Sequence, residues 1–130
     1  MTMKVLWMTL MLGVAGCTTL PTPTDVDNAD YGAYPADFEA IAKNYYREKL
    51  SDPDSARYQL ITTPERYWLG NELDDVYYGY LVCVTLNTKN LFGGYKGYQT
   101  DGLLIRNGNV IKYVEEGSWW GKDICMAPAT

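Results

Sequence analysis

Residues 76–86 alternate with a period of two. Val76, Tyr78, Tyr80, Val82, Val84 and Leu86 fall on one face of an extended chain, and Tyr77, Gly79, Leu81, Cys83 and Thr85 on the other. Over residues 81–86 both faces are largely apolar, a pattern that suits a strand flanked by neighbours and covered on both sides. This stretch therefore predicts a central strand, and the rest of the chain must supply its partners.

Candidate partners lie on either side. Residues 57–62 and 66–69 read as short strands, and residues 99–106 and 109–115 flank Asn107-Gly108, a pair that tolerates the positive φ of a two-residue hairpin turn. Upstream, Phe38, Ile41, Ala42, Tyr45, Tyr46 and Leu50 recur at helical spacing over residues 37–50, with Glu39 and Lys43 as an i,i+4 pair on the polar side. Pro35 and Asp37 are start signals, and Pro53 stops the helix. The expected fold is α+β: one N-terminal amphipathic helix packed on an antiparallel sheet of four or five strands. The chain's 130 residues suffice for one such domain, assigned to residues 36–130.

The beginning of the chain has a different character. Lys4 precedes an apolar run over residues 5–16, too short for a membrane-spanning helix, which needs about 20 residues. The stretch Val14-Ala15-Gly16-Cys17 resembles the lipobox of bacterial lipoproteins. That resemblance implies cleavage of residues 1–16 as a signal peptide and acylation of Cys17. Thr18 at the second position, in place of aspartate, implies the outer membrane, facing the periplasm. Residues 17–35 hold many Thr, Asp and Pro and no apolar period, so they are expected to form a flexible, extended tether behind the lipidated cysteine.

The net charge is −5, and loss of residues 1–16, which carry Lys4 and no acid, makes it one unit more negative. A chain this acidic, with no basic block, argues against nucleic acid as a partner and against attraction to anionic headgroups, leaving the lipid as the membrane anchor. Two cysteines remain, Cys83 and Cys125. In an oxidising compartment they allow one disulfide, the alternative being two unrelated thiols. The chain has no histidine, which removes Ser-His and Cys-His nucleophile systems, and the cysteines lack a chelating spacing, so neither a metal site nor a cofactor is expected.

Two segments are candidate binding sites. Residues 87–98 are longer than a hairpin needs, with Asn87, Lys89 and Asn90 as polar groups, Phe92, Tyr95 and Tyr98 as stacking faces, and Gly93 and Gly94 as flexible points. In a purely structural reading the asparagines cap their own turns, the glycines form a bulged connection and the aromatic rings cover the helix. The second segment contains Trp119 and Trp120, either a platform for a sugar or peptide or a cover over the core edge near Cys125. With 12 tyrosines and 4 tryptophans against 2 phenylalanines, some of these rings also serve as ordinary core.

The turn Asp52-Pro53-Asp54-Ser55-Ala56 and the stretch Asn87-x-Lys89-Asn90-x-Phe92-Gly93-Gly94-Tyr95-x-Gly97 resemble those of a group of small exported bacterial proteins, many of them lipoproteins, without assigned activity. The resemblance spans about residues 50–105 and implies compartment and domain type; it carries no catalytic residue onto this chain. The function expected is therefore a non-catalytic binding or interaction module of the cell envelope, with an envelope protein or glycan as partner. Two alternatives are an inhibitor or exclusion factor acting on an envelope enzyme or phage component, and a cell-wall glycan hydrolase using Asp74/Asp75 or Glu115/Glu116. Adjacent carboxylates on a strand point to opposite faces, so neither pair makes a two-carboxylate site alone.

Overall fold

The computed structural model describes residues 19–126 except residue 72. Cys17, the lipidation candidate, lies outside the described residues. The fold is α+β, with helix α1 (Pro23–Asn28), helix α2 (Phe38–Lys49) and an antiparallel sheet of β1 (Arg57–Ile61), β2 (Glu65–Asn71), β3 (Asp74–Lys89), β4 (Tyr95–Arg106) and β5 (Asn109–Val114). A small hairpin of β6 (Ser118–Trp119) and β7 (Lys122–Asp123) follows.

β3 organises the sheet. It pairs with β4 along one side, while β1 and β2 lie end to end along the other, opposite residues 84–87 and 74–81 respectively. At the join, Thr62 N–H donates to the Cys83 carbonyl and Cys83 N–H to the Thr62 hydroxyl, so β3 loses no hydrogen bond there. Asn107 and Gly108 both have positive φ, the geometry a two-residue β4–β5 turn requires.

The two faces of β3 carry two clusters. On one, Val82, Val84, Leu86, Leu103 and Ile105 pack against Ala42 and Tyr46 of α2. On the other, Leu69, Leu81, Cys83, Leu104 and Val114 pack against Ile124 of the carboxy-terminal segment. The Cys83–Cys125 disulfide, with S–S 2.11 Å and Cα–Cα 5.8 Å, fastens that segment to the sheet.

Two details differ from the sequence reading. α2 begins after Asp37, but the Asp37 side chain makes no capping hydrogen bond. The extended tether is corrected over residues 22–34, so α2 is not the first helix. Thr22 and Asp25 form a capping box that starts α1. Beyond it Tyr31 is buried edge-on to Tyr78, Tyr34 meets Tyr80 in the same way, and Asp30 pairs with Arg106 at 3.4 Å. The aromatic rings, which a count of Thr, Asp and Pro overlooks, bind this segment to the sheet.

Candidate functional site

Among the described residues β2 is an edge strand, paired with β3 along one side and with no strand along the other. A groove of about 360 Å³ follows it, within the size range of ligand pockets. β2 contributes Arg66, Tyr67, Trp68, Leu69 and Gly70, α1 and its extension contribute Val26 and Tyr31, and the carboxy-terminal hairpin contributes Trp119, Lys122 and Ile124. The walls therefore come from three parts of the chain. The Trp119 indole N–H donates to the Gly70 carbonyl at 3.3 Å, which fixes the ring beside the strand.

Cations line the rim. Arg66 sits 5.5 Å from the Tyr31 ring centroid, and Lys122 5.9 Å from that of Tyr67. A hydrogen bond with Tyr80 raises the Arg66 pKa above its ordinary value. The groove thus offers ring faces, two positive charges and a strand edge. Among the described residues its lining holds no carboxylate, serine, threonine or thiol.

The adjacent tryptophans part where β6 ends. Trp119 is half-buried in the groove, whereas Trp120, in a positive-φ turn with Gly121, is exposed. They do not form one platform.

The long loop over residues 87–98 is corrected as well. β3 continues to Lys89 and β4 starts at Tyr95, with Asn87 opposite Tyr98 and Lys89 opposite Tyr95, so the connection shrinks to residues 90–94. Asn90 closes that turn: its side-chain oxygen accepts from Phe92 and Gly94 N–H at 2.9 and 3.1 Å. Asn87 accepts from the N–H of Gly97, whose φ of +102 marks the bulged connection. The side-chain oxygen of each asparagine is thus taken up by backbone N–H groups of the connection itself. Tyr95 donates to the Ser55 carbonyl at 3.0 Å, with Arg57 over its ring at 4.1 Å. Tyr98 is exposed, and Gly93 takes a φ of +83 next to Gly94. Phe92 is 97% exposed, so the expectation that all three aromatics cover the helix fails.

Sequence reasoning missed Asp101. It is 1% exposed and lies opposite Val84 on the helix-facing side. Its carboxylate accepts from Tyr46 Oη at 2.8 Å, Tyr113 Oη at 3.1 Å, Gln99 Nε2 at 2.6 Å and Glu116 N–H at 2.9 Å. Those four donors fill its acceptor positions, the state a buried charge needs. Burial above all, then the Asp101 charge, pushes the Tyr46 and Tyr113 hydroxyls well above the ordinary tyrosine pKa. A cavity of about 120 Å³ lies over this network, with Glu115 and Lys96 in its lining. Glu115 and Glu116 stand in a short 3₁₀ turn, Glu116 with φ +55, rather than at a strand end. Asp74 and Asp75 open β3.

No known protein family, characterised protein or solved structure matches the chain. Among the described residues, no helix is long and apolar enough to cross a membrane.

Proposed function

We propose that this protein is an envelope lipoprotein whose domain is a non-catalytic interaction module, binding an extended peptide segment of an envelope partner along β2. One observation carries the reading: the groove runs beside a strand edge that, among the described residues, no other strand covers, between aromatic walls. An edge strand presents backbone donors and acceptors that an incoming strand pairs with, and flanking pockets then select its alternate side chains. Tyr67 and Trp119 offer apolar contact, and Arg66 and Lys122 favour acidic side chains or a terminal carboxylate. The lipobox-like start supports the envelope as the place where such a partner is met.

The test is peptide display against the chain from residue 18 onward, followed by amide hydrogen exchange. Selected peptides should slow exchange at β2 and bind at least about tenfold more weakly to Trp119→Ala, consistent with loss of an aromatic anchor. Peptides that leave β2 exchange unchanged, or bind Trp119→Ala equally well, defeat the reading.

A further inference from the structure

The β3–β4 turn lies far from the groove. Trp68 of β2 pairs with Tyr78 of β3, and the strand then runs about 40 Å, at roughly 3.3 Å per residue, before Asn90 opens the turn. At the tip, Leu91 is 88% exposed and Phe92 97%. The backbone beneath them is held in place, because Asn90 N–H donates to the Gly94 carbonyl at 2.8 Å and Gly93 N–H to the Asn90 carbonyl at 3.1 Å. Two apolar side chains therefore project from a closed turn with almost no contacts.

Positive charge gathers beneath them. A concavity of about 450 Å³ at the base of the turn is lined by Lys49 of α2, Lys89 of β3 and Lys96 of β4 along with Leu91 and Phe92, and, among the described residues, by no aspartate or glutamate. The acidic net charge of the chain conceals this local cluster.

We propose that the β3–β4 tip docks on an anionic lipid surface. Leu91 and Phe92 enter the headgroup zone while Lys49, Lys89 and Lys96 meet its phosphates. Apolar residues at the extremity of a projecting turn, with ammonium groups set behind them, match the order of a bilayer interface from acyl chains to phosphate. This docking is separate from the peptide groove and does not need the amino-terminal lipid.

Flotation with protein-free vesicles tests it, using the unacylated chain from residue 18, which retains both core clusters and the disulfide. Vesicles of phosphatidylcholine with phosphatidylglycerol should carry the protein, phosphatidylcholine alone should not, and salt should release it. Lys49→Gln, Lys89→Gln and Lys96→Gln together should weaken binding by about a hundredfold, since each surface lysine contributes about 1 kcal/mol. Leu91→Ser with Phe92→Ser should weaken it at least about tenfold, whereas Leu60→Ser, at an exposed site on β1, should not. Circular dichroism verifies that each variant is folded. The proposal is overturned by the absence of a phosphatidylglycerol preference or by folded tip variants that bind normally. It is equally overturned by retention only on native envelope membranes that protease treatment abolishes, which makes the tip a protein contact.

Discussion

Tyr46 and Asp101 stand 55 positions apart in the chain, and the hydroxyl of the first donates to the carboxylate of the second at 2.8 Å inside the core between α2 and β4. This bond ties the helix to the sheet at a point surrounded by Val84 and Leu86. Tyr46→Phe removes one of four donors to a buried charge and should cost about 1–3 kcal/mol. Asp101→Asn replaces one carboxylate oxygen by an amide N–H₂, which then faces either the Tyr46 and Tyr113 hydroxyls or the Gln99 amide and Glu116 N–H, all of them donors here, and should cost at least as much. Urea unfolding midpoints measure both.

The same pair predicts an alkaline limit. Tyr46 and Tyr113 have raised pKa values in the folded protein, through burial first and the Asp101 charge second. In the unfolded chain they titrate near about 10. Their contribution is therefore fully present below that pH and is lost as pH rises beyond it, because the unfolded state releases protons that the folded state retains. Urea midpoints should fall above about pH 10, and more gently in Tyr46→Phe than in the unaltered protein.

Cys83 and Cys125 close a loop with a sequence separation of 42. Loop entropy gives the bridge about 4 kcal/mol. Replacing both cysteines by alanine should lower unfolding free energy by about that amount, and a reductant should then have no further effect. A reductant acting on the unaltered protein should reproduce the loss.

Gly79 of β3 lies close against the Ile105 backbone of β4. A Cβ there would lie 2.7 Å from the Ile105 carbonyl oxygen, a backbone atom that cannot rotate away. Gly79→Ala should cost about 1–3 kcal/mol. Gly94→Ala, where the nearest atom is 3.8 Å away, should stay within about 0.5 kcal/mol. Thermal unfolding of the two variants separates crowding from backbone entropy.

The legible parts of this molecule are those written in local period. Alternation over residues 76–86 marks β3, helical spacing marks α2, and Asn107-Gly108 marks the β4–β5 turn. Composition was a poorer guide, because Tyr31 anchors residues that otherwise read as linker. The apparent loop at residues 87–98 looked open for a related reason: β4 absorbs Gly97 as a bulge, and a strand containing glycines lacks alternation. Asp101 and the β2 groove were out of reach. One depends on tyrosines from α2 and β5 converging on a single acid, the other on Val26, Trp119 and Lys122 meeting beside β2, and no spacing along the chain encodes such meetings.

The disulfide also decides how the molecule bears mechanical load. Cys83–Cys125 closes a covalent ring around β4, β5 and the terminal hairpin, leaving α1, α2, β1 and β2 outside. Tension applied through the amino end peels these outer elements and is spent at Cys83. From there it passes across sulfur to Cys125, and the enclosed strands cannot be drawn out to their contour length. The chain thus has an extensible longer part nearest its beginning and an inextensible shorter part carrying the hairpin tip at residues 90–94.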